Sequence, residues 1–140
     1  ADLQYLWKLY PTGETEIKEK VEKLVEEHIQ YLITEKIMIP FPLLIHILQK
    51  DELDGDDRKL VLANHLKNLT HAQTVEAFNK MRLLGAEYIS LLAGKRPSFE
   101  GTEANKCLLD GLLQRGWISS YAENPRDPGQ YRANGKKQRA

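Results

Sequence analysis

Cysteine is nearly missing from this chain: Cys107 is the only one in 140 residues. No internal disulfide can form, so a small extracellular fold stapled by bridges is excluded, and a reducing intracellular compartment, cytoplasmic or nuclear, is the expected location. Long apolar runs are missing too. The longest, Ile37 to Leu48, is too short to cross a bilayer and is interrupted by Pro40, Pro42 and His46, which marks it as core and gives no reason to expect a membrane partner. The opening residues Ala1-Asp2-Leu3-Gln4 lack the basic, apolar and small-residue regions of a secretory signal. Neither charge is in excess. Lys plus Arg and Asp plus Glu are both 20, so no net field draws the whole molecule toward a polyanion.

The usual signatures of catalysis are also lacking. His28, His46, His65 and His71 are dispersed, and none stands in a metal-ligand spacing with another histidine or with a cysteine. Cys107 falls on the apolar side of its helical pattern, where a buried thiol is inert. No phosphate-cradling glycine loop and no nucleophile elbow occurs. The acidic stretch Asp51 to Asp57 superficially resembles a calcium loop, but the twelfth residue from Asp51 is Leu62, where such a loop needs a bidentate Glu. It reads as a solvated connection. The expectation is therefore a non-enzymatic protein with no catalytic residue, no metal and no organic cofactor.

What is present is ordinary globular material. Hydrophobic residues make up 41% and charged residues 29% of the chain, enough for one domain, residues 1–140, with its own core. An aromatic-rich opening, Leu3 to Tyr10, ends at the turn signal Pro11-Thr12-Gly13. From Glu14 the apolar residues Ile17, Val21, Leu24, Val25, Ile29, Leu32 and Ile33 follow the three-and-four spacing of an amphipathic helix. Pro40 and Pro42 then break the chain, and a second helix can run from Pro42 to about Lys50. Leu60, Val61, Leu62 and Leu66 mark a third, stopping near Asn68. Thr70-His71-Ala72-Gln73 has the form of a capping box, opening a helix that Gly85 can end or bend. Ala86 to Leu92 forms a shorter helix closed by Gly94. After the loop Lys95 to Gly101, Thr102 can cap a helix through Cys107, Leu108, Leu112 and Leu113, with Gly116 past its end.

Beyond Gly116 the period changes to two, with Trp117, Ser119 and Tyr121 on one face and Ile118, Ser120 and Ala122 on the other. Asn124 to Gly129 is dense in turn residues, and Gln130 to Ala133 can return as a second strand. A bundle of five or six helices with a terminal two-stranded hairpin over 117–133 is predicted.

From Thr70 onward the order is helix, short helix, loop, helix ending in glycine, strand, turn-rich loop, strand. In this order, and in the phrase Cys107-Leu108-Leu109-Asp110-Gly111-Leu112-Leu113-Gln114-Arg115-Gly116-Trp117-Ile118, residues 70–135 resemble winged-helix (winged helix-turn-helix) domains. The resemblance implies a mainly α fold: a helical bundle with a winged-helix-like C-terminal β-hairpin whose wing is Asn124 to Gly129. Residues 1–69 would form an N-terminal helical part, and 136–140 a basic tail. It further implies a nucleic-acid-binding module, with the helix of Cys107 in the major groove and the wing on the backbone. Glu103, Asn105, Lys106, Asp110, Gln114 and Arg115 would then lie on its exposed face, and Lys95, Arg96, Arg126, Arg132, Lys136 and Lys137 near phosphates.

Charge distribution agrees in part. Residues 1–60 carry 8 basic and 13 acidic side chains, whereas residues 94–140 carry 9 basic and 5 acidic, making the C-terminal third the electropositive end. DNA or RNA is the expected partner. Glu103 and Asp110 oppose phosphate on the reading face, and the alternative is the same fold used as a protein-protein interaction module within a larger complex. Trp117, Tyr121 and Tyr131 offer either a platform for stacked bases or an aromatic cluster across a hairpin.

Overall fold

A computed structural model describes residues 15–50, 53–81 and 85–136. The expected aromatic opening, Leu84, Lys137 and the rest of the basic tail lie outside the described residues. Helix α1 (Thr15–Glu27) buries Val21 and Val25, and α2 (Ile29–Thr34) buries Ile29 and Leu32. The apolar spacing predicts one continuous helix here. Instead His28 leaves helical geometry (φ −113°, ψ 24°) with its ring Nδ1 2.7 Å from the Leu24 carbonyl oxygen, a local bond that competes with the helical ladder.

Helix α2 stops in a paired turn, with the Lys36 N–H donating to the Ile33 carbonyl and the Ile37 N–H to the Leu32 carbonyl. This arrangement needs a left-handed residue, usually glycine. Lys36 takes that place at φ 52°, at a cost of about 1 kcal/mol or more for a residue with a Cβ.

Helix α3 (Phe41–Leu48) starts at the prolines, with Pro40 as its N-cap, and buries Leu43, Leu44, Ile47 and Leu48. Helix α4 (Gly55–His65) begins inside the acidic stretch, ahead of the apolar residues that announce it. The Asp54 carboxylate accepts from the Asp56 N–H at 2.7 Å, and Asp56 and Asp57 occupy the positive first turn. A 3-10 turn (Leu66–Asn68) and the capping box of Thr70 and Gln73 lead into α5 (His71–Lys80). Gly85 does not end a helix; it opens α6 (Gly85–Leu92).

The segment 95–101 is a loop by sequence, yet Ser98–Glu100 forms strand β1. Helix α7 (Glu103–Gln114) follows the Thr102 cap and ends at Gly116, φ 74°. Strands β2 (Ile118–Glu123) and β3 (Gln130–Gly135) complete an antiparallel sheet in the order β1-β3-β2. The fold is thus mainly α with a C-terminal hairpin, but the described residues hold seven α-helices and a third strand beyond the predicted pair.

Tertiary contacts create β1. Phe99 packs on Tyr88 (ring centroids 4.6 Å apart), which itself stacks on Phe78 at 4.7 Å. Asn105, 1% exposed, donates to the Glu100 carbonyl at 2.8 Å and accepts from the Tyr88 hydroxyl at 3.0 Å. A second departure lies in β2. The register slips between Ile118 and Ser120, so Ile118 and Tyr121 both face the side of Ala133, which simple alternation forbids and a β-bulge allows.

One hydrophobic cluster runs from Val21 to Ala133 through all the helices and the sheet. Two points in it constrain the chain sharply. A Cβ on Gly135 would lie 2.0 Å from the Leu91 carbonyl oxygen, so the end of β3 touches the backbone of α6. Gly135→Ala must displace one of the two, and a loss of about 2 kcal/mol or more in urea unfolding is expected.

His65 is the other. Its Nε2 accepts from the Ile39 N–H at 2.9 Å, and its Nδ1 faces the Val61 carbonyl oxygen at 2.8 Å, so the neutral ring with the proton on Nδ1 satisfies both. Burial lowers its pKa from the ordinary 6.5, against the opposing pull of the Val61 carbonyl. The unfolded chain therefore binds the extra proton first. The stability His65 contributes is full above pH 6.5 and is lost as pH falls toward the depressed folded value. Unfolding free energy should drop below pH 6.5 with a slope of up to about 1.4 kcal/mol per pH unit from this group, and His65→Gln should remove that component of the slope.

Candidate nucleic-acid interface

Register defines two faces of the sheet. Phe99, Tyr121, Tyr131 and Ala133 share the inner face toward α6 and α7; Ser98, Ala122 and Arg132 form one outer row, Glu100 and Gln130 the next, and Ser120 and Asn134 another. The outer face is polar and these rows hold no aromatic residue. The Asn134 amide donates to the Ser120 hydroxyl at 2.9 Å across it.

Several predicted contact residues meet at one corner. The Gly135 N–H donates to the Lys95 carbonyl at 3.0 Å and the Ala133 N–H to the Pro97 carbonyl at 3.2 Å, which ties the α6–β1 loop to the end of β3. Lys95, Arg96, Arg132 and Lys136 are thereby gathered, all exposed. Arg126 is exposed at the opposite end, in the turn whose Asn124 side chain accepts from the Arg126 N–H at 3.0 Å; a six-residue β3 separates the two ends by about 20 Å.

The α7 residues do not join them. Asn105 is a correction: it faces the core as the clasp of β1 and cannot meet a base edge. The Lys106 ammonium lies 5.0 Å from the centre of the Tyr131 ring, on the inner side of the sheet. Arg115 donates to the carbonyls of Lys67 and Leu69, the latter at 3.0 Å, with its guanidinium 4.7 Å from the Trp117 ring centre. It ties α7 to the 3-10 turn. Glu103, Asp110 and Gln114 are exposed as expected, so what α7 turns outward is largely acidic.

The aromatic platform does not assemble either. Trp117 is 8% exposed and packs edge-on against His71, while Tyr121 and Tyr131 are half-buried on the inner side of the sheet, 6.1 Å apart. The Tyr121 hydroxyl donates to Asp110, and its pKa is pushed up to about 12 by burial and then by that bond, so it remains a donor throughout the neutral range. Sequence spacing could not reveal the α6–β1 corner, because residues 95–96 and 132–136 are joined only by the hidden strand.

Among the described residues no group of three or more His, Cys, Asp or Glu could hold a metal ion, and no helix is long and apolar enough to cross a membrane. Comparison with protein-family models, with curated proteins and with solved structures finds no match.

Arg115→Ala should act as a stability variant. Two carbonyls lose their donor, and a loss of about 1–3 kcal/mol is expected in chemical unfolding. Arg115→Lys should recover only part of it, because an ammonium lacks the rigid planar fork that a guanidinium presents to two oxygens.

Proposed function

We propose that the protein is a non-enzymatic, nucleic-acid-associated binding module of the winged-helix type that holds phosphates with its sheet corner. The gathering of Lys95, Arg96, Arg132 and Lys136 at the β1–β3 end carries this reading. The polar outer face beside it supports contact with a sugar-phosphate backbone. Base reading by α7 receives no such support, since Asn105 is buried, Arg115 is occupied and Glu103 and Asp110 repel phosphate. Binding on this reading is electrostatic and weakly sequence-dependent, and Glu100, in the outer row next to Arg132, limits its strength. The second reading, a protein-interaction module, draws on the outward side of α7, where Glu103, Asp110, Leu113 and Gln114 are exposed.

The test is a salt series of binding to a generic DNA duplex, an RNA duplex and a single strand. Affinity should fall steeply with salt. Replacing Lys95, Arg96, Arg132 and Lys136 together by Ala should flatten the log–log slope by roughly 0.7–0.9 for each phosphate no longer neutralised, about three units in all. Arg126→Ala should weaken binding less. If the wild-type protein binds none of the three at low salt, the nucleic-acid reading is wrong.

A further inference from the structure

A cleft of about 630 Å³ lies along the joint of α4 and the 3-10 turn with α7, bordered by Lys36 and Met38. Ala63 and Met38, the latter 37% exposed, supply its accessible apolar surface, while Leu66 lies buried beneath Gly111 at its floor. Three of its polar groups are already engaged within the protein. The Asn64 amide donates to the Ile33 carbonyl at 3.1 Å, the Asn68 amide to the Met38 sulfur at 3.1 Å, and Asp110 accepts from Tyr121. Lys36 and Lys67 also line it. Both are exposed and neither makes an ion pair among the described residues. Two ammonium groups thus stand against one carboxylate that is already bonded.

Lys36 occupies its place at the expense of backbone strain, where glycine would fit the same turn without it. Cys107, expected from its helical position to be buried, is half-exposed in the cleft, and the Lys36 charge there opposes the upward push of burial, Glu103 and Asp110 on the thiol's pKa.

We propose that this cleft is a docking groove for an acidic segment of a partner protein, one apolar side chain seated on Met38 and Ala63 and its carboxylates paired with Lys36 and Lys67. Charge complementarity selects this occupant. With Asn64 and Asn68 engaged, the charged polar contacts that remain are the two ammonium groups, beside the exposed Gln114 amide, and these suit carboxylates flanking an apolar anchor. The groove is separate from the sheet corner and does not depend on nucleic-acid binding.

Cys107, the sole cysteine, reports on its occupancy. The intact protein is labelled with N-ethylmaleimide with and without a glutamate-rich decapeptide carrying two central leucines, and the rate is followed by mass spectrometry. Backbone amide shifts of Asn68 and Gly111 give a second readout that needs no thiol chemistry. The peptide should slow labelling by about fivefold or more once it exceeds its Kd severalfold, and should move both amides. A lysine-rich peptide of the same length should do neither. Lys36→Glu with Lys67→Glu should abolish protection while the melting temperature holds. The proposal is overturned if the acidic peptide at millimolar concentration neither protects Cys107 nor shifts the amides, if the double variant is protected equally, or if a DNA duplex protects and the peptide does not.

Discussion

Arg115 forks onto the carbonyls of Lys67 and Leu69 while its other face covers Trp117, and the position of the C-terminal half depends on that grip. The 3-10 turn exposes carbonyls that no helix satisfies, and a guanidinium caps two of them at once with its rigid planar fork of donors. Close by, Gly111 lets α7 approach Leu66; a Cβ there would come within 2.6 Å of the Leu66 Cδ1. With α7 docked on α4 and the turn, the hairpin that follows Gly116 can only fold back over α6, where Gly135 meets Leu91. The sheet, its corner of cations and the cleft all follow from where α7 lies.

That placement also divides the charges. A helix half-covered by α4 cannot present a full reading face, so the exposed part of α7 is what packing leaves over: Glu103, Asp110, Leu113 and Gln114. The cations of the C-terminal third collect instead at the end of β3, because the backbone bonds of Lys95 and Pro97 bring the preceding loop there. The residues proposed to hold phosphates and those proposed to dock an acidic segment are distinct, so the two proposals are compatible on one molecule.

Two helix endings show how one local motif serves different ends. After α7 the left-handed position is Gly116, and nothing lies within 4 Å of where its Cβ would be, so glycine there serves the backbone alone. After α2 the same hydrogen-bond pair is closed by Lys36. A turn that accepts strain to keep a charged side chain is the pattern expected where that side chain has work beyond folding.

The strand of Phe99 shows what sequence reading misses. Ser98-Phe99-Glu100 holds a single apolar residue after a proline and has neither length nor alternation, so no pattern distinguishes it from a loop. Asn105 reads as a solvent-facing residue because amides usually are, yet its two bonds to Glu100 and Tyr88 place it inside. The bulge at Ser119 likewise leaves no mark in composition. The capping box of Thr70 and Gln73, the Thr102 cap and the end glycine Gly116, by contrast, are legible, since they act on backbone groups within a few residues. The chain by itself determined where most helical segments lie, the caps at Thr70, Thr102 and Gly116, the change to a two-residue period after Gly116 and the absence of a disulfide framework, because each follows from interactions between near neighbours or from composition. Only tertiary structure decided that β1 exists, that Arg115 and Asn105 serve the fold, and that Lys95, Arg96, Arg132 and Lys136 stand together. Those outcomes depend on how α7 and the sheet pack against residues far away in the chain, and no local spacing encodes that geometry.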